Sequence, residues 1–169
     1  VVVTANFLQR QVAAGAYQPI DRARLSNYGN LDPGMMALLA TNDPGNLHSV
    51  GNMWGTTGIA YDARKVAALA PDAPTDSWRL VFDPKVAQRL ASCGIAFIDA
   101  PSEVLSVTLI ALGKDPYSED PADLAAAEST LLAIRPYVRY INTVPLLEDL
   151  AAGDICVAVL WSGDAVRAR

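Results

Sequence analysis

The sequence predicts an α/β fold in which a mostly parallel sheet is flanked by helices, and three observations carry that expectation. Two apolar runs, at residues 94–99 and 155–160, are rich in β-branched residues without polar alternation, which marks strands buried on both faces, as in a parallel sheet. Each run breaks directly into a helix opening, Ala100-Pro101-Ser102-Glu103 and Ser162-Gly163-Asp164. From Thr56 onward, strands alternate with helical stretches. In open sheets of this kind, ligands bind outside the carboxyl ends of the strands. The residues that stop those strands are therefore the first site candidates.

In chain order, Val1-Val2-Val3 reads as the tail of a buried strand, and residues 7–14 read as a helix closed by Gly15. Thr4 stands at that strand-to-helix junction, where its hydroxyl would cap the helix or touch a ligand. Pro33 opens a helix through Ala40, and residues 41–52 form a long connection of turn formers. That connection holds His48, the sole histidine, read as an exposed loop residue. Residues 53–62 are expected to form an extended crossover between two structural units, with Gly55 and Gly58 permitting close approach. Helices are expected over residues 63–69 and 84–92, with Ser77 capping a short turn between them. After the strand at 94–99 come helices at 104–112 and 121–135, a strand at 137–141 and a helix at 145–152. The last strand ends at Trp161.

Size and apolar content, 169 residues of which 51% are hydrophobic, suffice for one domain with a sizeable core, or for one and a fraction. Lys and Arg number 13 against 18 Asp and Glu, a net charge of -5 with no basic run. That balance argues against nucleic acid or an anionic membrane surface as a partner and tolerates a cationic one. No apolar segment approaches bilayer-spanning length, and no charged region precedes an apolar one at the amino terminus. Both ends read as cut, the expectation for a piece of a larger protein. Cys93 and Cys156 each lie near the start of an apolar strand. With those strands as parallel neighbours, both sulfurs would lie at the end of the sheet away from the crevice. A disulfide in an oxidising compartment and two buried thiols both fit that placement.

The strand ends carry an unusual sign. A helix amino terminus exposes unpaired N–H groups and a positive dipole end, so the turn after a parallel strand attracts anions by default. Here Glu103 and Asp164 fall in two such opening turns and make the natural anion site a cation site. Trp161 adds an indole face that attracts ammonium groups, worth roughly 0.5 to 2 kcal/mol. The alternative is that Trp161 packs in the core while the two acids only meet the helix dipole. A second class of function would make Asp99, at a strand end, the catalytic carboxylate of an α/β hydrolase-type enzyme. The chain lacks a glycine-rich phosphate loop, a Gly-x-Ser-x-Gly turn and an acid two residues beyond Asp99. No enzyme activity, cofactor or metal site is expected.

Several segments, in order and spacing, resemble one family across essentially the whole chain. They are Phe7-Leu8-Gln9-Arg10-Gln11, Asn30-Leu31-Asp32-Pro33, Met53-Trp54-Gly55-Thr56-Thr57-Gly58-Ile59, Ser92-Cys93-Gly94-Ile95, Asp99-Ala100-Pro101-Ser102-Glu103-Val104, Leu112-Gly113-Lys114-Asp115-Pro116, and Gly153 through Asp164. The family is that of the periplasmic polyamine-binding proteins of ABC importers, type II solute-binding proteins, and above all the putrescine-binding ones. The resemblance implies a periplasmic-binding-protein-like lobe, a fragment of a two-lobe protein that clamps a polyamine and hands it to a membrane permease. It divides the chain into a first-lobe remnant at 1–52, a crossover at 53–62 and most of the second lobe at 63–169. It assigns ligand-binding roles to Thr4, Glu103, Trp161 and Asp164, with an acid at Asp164 resembling the putrescine type rather than the spermidine type. Another cationic ligand or an amino acid is the alternative within the same fold. With the family's first strand and later pocket residues without counterparts, this piece alone is expected to bind putrescine weakly or not at all.

Overall fold

Four strands, Thr57–Tyr61 (β1), Ile95–Phe97 (β2), Val138–Ile141 (β3) and Val157–Trp161 (β4), pair into one sheet in the order β1-β4-β2-β3. The computed structural model describes residues 1–169, the side chain of Asn6 excepted. β2 runs parallel to both β3 and β4, while β1 runs antiparallel to β4. The two central strands are the two apolar runs. Ile95, Ala96, Phe97 and Val157 through Leu160 are all at most 1% exposed, as burial on both faces requires. The sheet is thus mixed, with the antiparallel member at one edge.

The chain divides into two compact units, Val1–Trp54 and Gly55–Arg169. The first holds helices Ala5–Ala13 (α1) and Pro33–Leu39 (α2) with three short 3-10 turns between and after them. Asp32 caps α2 by accepting the Met35 N–H at 2.8 Å, and Pro33 fills the first helical position, where a missing N–H costs nothing. Val1 to Val3 form no strand: Val1 and Val2 are exposed, and no strand lies beside them among the described residues of this unit. An apolar triplet needs a partner edge to become a strand, and composition alone does not provide one.

His48 departs from the expected exposed loop residue. Its ring is only 19% exposed, with Nδ1 3.0 Å from a carboxylate oxygen of the fully buried Asp43. Asp43 also accepts the His48 N–H at 2.9 Å and the Ser49 hydroxyl at 2.7 Å. Burial alone would push its carboxyl up, but the hydrogen bonds from His48 and Ser49 outweigh it and hold the group below its ordinary value. The long connection is therefore folded around one buried acid.

In the second unit, helices Ala63–Leu69 (α3), Arg79–Phe82 (α4) and Pro84–Leu90 (α5) precede β2. Pro101–Ala111 (α6) and Pro121–Ile134 (α7) link β2 to β3, Thr143–Ala152 (α8) links β3 to β4, and Ser162–Arg167 (α9) follows β4. Gly153 ends α8 at φ 80°, a conformation without penalty only for glycine, and passes the chain to β4. α4, α5, α6 and α7 pack together as one layer, whereas α8 packs on β2, β4 and α9. The core between them centres on Leu80, Leu90, Phe97, Ile134, Leu146 and Leu160.

Cys93 and Cys156 form a disulfide that joins the entrances of β2 and β4, with Cα atoms 5.4 Å apart. This resolves the choice left open by the sequence. The bond closes a separation of 63 residues, for which loop-closure entropy gives about 4 kcal/mol of stabilisation. Replacing both cysteines by alanine should lower the unfolding free energy by up to about that amount in denaturant titration, and reductant should reproduce the loss in the native protein.

Two helix caps link folding to acidity. Asp62 accepts the Lys65 and Arg64 N–H groups at the start of α3, and Asp83 accepts that of Lys85 at the start of α5, with Arg79 3.4 Å away. These bonds, the Lys65 and Lys85 amides foremost, hold both carboxyls below the ordinary value. Their stabilisation is complete above the unfolded value of about 3.9 and disappears as pH falls through the lower folded values. Asp62→Asn and Asp83→Asn should each flatten the acid limb of a stability-against-pH curve below about pH 4, leaving the neutral plateau closer to wild type than an alanine at the same cap.

Candidate functional site at the carboxyl edge of the sheet

Three helices begin where a parallel strand ends: α6 after β2, α8 after β3 and α9 after β4. Their amino termini therefore share one edge of the sheet. From β2 the chain passes through α6 and α7 to β3 on one side. From β3 it then returns through α8 across β2 to β4 on the other. Right-handed crossovers running in opposite directions place their helices on opposite faces. The boundary between β2 and β4 is accordingly a topological switch point, the place at which open sheets of this kind bind their ligands.

Glu103 and Asp164 both lie in the first turn of their helices at that boundary, each as the third helical residue. Glu103 is half-buried, and its Oε2 accepts a hydrogen bond from the Thr57 hydroxyl at the start of β1. Thr57 is the register partner of Trp161 across the antiparallel ladder, so the two side chains leave the sheet on the same face. The structure thus gathers Glu103, Thr57 and Trp161 at one place. Trp161 is half-buried and packs against the edge of the core cluster, leaving part of its side chain open. Asp164 is 31% exposed and pairs with Arg167 at 3.6 Å, one turn further along α9. Among the described residues, neither acid accepts a backbone N–H of its own helix, and neither helix has a side-chain cap.

The start of β1 is fastened to α9 as well. Ser162 donates its N–H to the Thr56 carbonyl at 2.8 Å and accepts the Thr56 N–H on its hydroxyl at 3.1 Å. A Cβ on Gly55 would stand 3.3 Å from the Ser162 Oγ, so the expected close approach exists there, whereas Gly58 faces open space. Thr57 and Ser162 were not singled out by the sequence. Their signal was the Gly-Thr-Thr-Gly segment itself, but the register joining it to Trp161 is a long-range property.

Thr4 lies in the other unit. It occupies the cap position of α1, yet its exposed side chain makes no capping hydrogen bond. Asp99 is exposed, and its backbone N–H is donated to the Thr143 hydroxyl at 2.9 Å. With Arg135 it lines an apolar groove of about 340 Å³ among Phe97, Ile98, Val104, Leu131 and Ile134. Glu103, Trp161 and Asp164 do not line that groove. Among the described residues no three His, Cys, Asp or Glu side chains cluster as metal ligands, and no helix is long and apolar enough to cross a membrane.

The geometry can be set beside known proteins. The chain is 47% identical over its full length to the putrescine-binding periplasmic protein SpuD of Pseudomonas aeruginosa, spanning 47% of that protein. It is 46% identical over 99% of its length to the putrescine-binding periplasmic protein PotF of Escherichia coli, spanning 46% of it. The chain therefore spans about half the length of the curated relatives it matches. In fold it matches the spermidine/putrescine ABC transporter substrate-binding protein PotD of Streptococcus pneumoniae. The TM-score is 0.73 at 23% identity, covering 97% of this chain and 47% of that one. A family model described as bacterial extracellular solute-binding protein, a description of binding rather than catalysis, matches residues 1–169. The chain belongs to the bacterial extracellular solute-binding protein family.

Proposed function

We propose that the chain is part of the solute-binding component of a polyamine ABC importer, working in the periplasm and taking putrescine. A membrane permease of the same importer would receive the ligand. Within it, 1–52 would belong to the first lobe, 53–62 to the crossover and 63–169 to the second lobe. The names of the relatives just described support the ligand class. The observation that carries the reading is the convergence of Glu103, Thr57 and Trp161 at the switch point, with Asp164 opening the neighbouring helix.

Putrescine is a four-carbon chain with an ammonium at each end. Glu103 and Asp164 supply carboxylates where helix dipoles would otherwise repel a cation. Trp161 offers an aromatic face to methylenes and an ammonium together. Thr4, with a hydroxyl not spent on capping, is the first unit's candidate contact. Spermidine, whose secondary amine would need a third acceptor, is the competing ligand within this reading.

A charged hydrogen bond contributes about 1.5 to 3 kcal/mol net, which converts to roughly a tenfold to hundredfold change in affinity. Titration calorimetry of the full-length protein should show putrescine binding weakened by about that factor in Glu103→Gln and again in Asp164→Asn. A thermal-shift comparison of putrescine, cadaverine, spermidine and spermine should rank putrescine first. Wild-type affinity in both variants would overturn these assignments, and preference for an uncharged solute would overturn the function.

A further inference from the structure

We infer that Thr57 is a positioning residue for the Glu103 carboxylate, holding one oxygen so that the other faces the ligand. The inference rests on the reading of Glu103 as a ligand carboxylate and adds to it the group that orients it. A glutamate on the first turn of a helix has three side-chain torsions to lose when it binds, so an unsupported one spends affinity on ordering itself. Here Oε2 already accepts the Thr57 hydroxyl, and among the described residues Oε1 has no donor. The hydroxyl is neutral. It fixes the carboxylate without cancelling its charge, unlike the guanidinium of Arg167 beside Asp164.

Thr57 suits this task for two reasons. Its β-branched side chain is stiff at the first torsion, and its backbone is immobilised on both sides. Thr57 to Tyr61 is laddered to β4, and Thr56 is bonded twice to Ser162. The support of Glu103 therefore comes from the same rigid corner that carries Trp161 and the start of α9. A hydrogen bond serving only to tie β1 to α6 would contribute to stability whether or not a charge stood at Glu103. A positioning bond acts on the ligand through that charge, and this difference can be measured.

The test is a double-mutant cycle in the full-length protein with putrescine as the probe, using Thr57→Val, Thr57→Ser, Glu103→Gln and the Val/Gln pair. Thr57→Val should weaken binding roughly fivefold, as expected when one flexible side chain has to be ordered on binding instead of beforehand. Thr57→Ser should stay within about twofold of wild type, and Thr57→Val should add nothing in the Glu103→Gln background. The same fold loss in both backgrounds, or no loss in either, would overturn the inference. An unchanged affinity in Glu103→Gln would instead remove the ligand role of Glu103. Carbon relaxation of the labelled Glu103 side chain in the unliganded protein gives a readout that needs no binding. It should report one ordered conformer in wild type and Thr57→Ser, and rotamer averaging in Thr57→Val. Averaging in wild type itself would sink the proposal. If Thr57→Val does not fold, the serine variant carries the cycle, and a loss above twofold there counts against it.

Discussion

The parallel pairing of β2 with β4 is the constraint on which the rest of the second unit depends. Ile95 opposite Val157 and Phe97 opposite Val159 set a register with consequences at both ends. At the strand entrances it brings Cys93 and Cys156 within bonding distance. At the exits it aligns the turns that open α6 and α9, and through β1 it sets Trp161 beside Thr57. A slip of one residue would send every β4 side chain to the opposite face, Trp161 included. The disulfide guards against that slip at the strand entrances, so the rigidity of the carboxyl edge is partly supplied from the far side of the sheet.

The two acids at that edge are not equivalent, although they occupy the same helical position. Glu103 is half-buried and bonded to a neutral hydroxyl, with no cation paired to it among the described residues. Asp164 stands more open and shares its charge with Arg167 across an exposed pair that contributes little to stability. Under the proposed function, an incoming ammonium would meet an oriented, unpaired acceptor at one helix and a competitor cation at the other. The physical expectation is unequal contributions, with Glu103 the stronger anchor and Asp164 the adjustable one.

Much of this was legible in the sequence because the decisive features are local. Unbroken β-branched runs marked β2 and β4, Pro101 at a first helical position fixed the start of α6 and so placed Glu103 in its first turn, and Gly153 marked the end of α8. What the sequence left unread depends on distant pairing. The antiparallel course of β1, the bond from Thr57 to Glu103 and the double clasp of Thr56 by Ser162 each join residues 46 or more positions apart. Asp43 gave no warning of its burial, because a lone aspartate among turn formers looks like any loop acid until His48 and Ser49 fold back on it. Val1 to Val3 misled in the opposite sense, since strand propensity is realised only against a neighbouring edge.

A third acid at the same edge shows why environment rather than position makes a recognition group. Asp99 ends the run that contains β2 and lies four residues before Glu103, yet it faces an apolar groove that also holds a guanidinium, and its side chain is exposed. Among the described residues its hydrogen bond is through the backbone to Thr143, and no side chain orients its carboxylate. Catalysis by a lone carboxylate needs a partner group and a perturbed environment. Glu103, by contrast, is half-buried and bonded to the Thr57 hydroxyl, whose register partner is Trp161, an arrangement that would suit holding a cation under the proposed function. The difference between the acids of this edge therefore lies in what supports each of them.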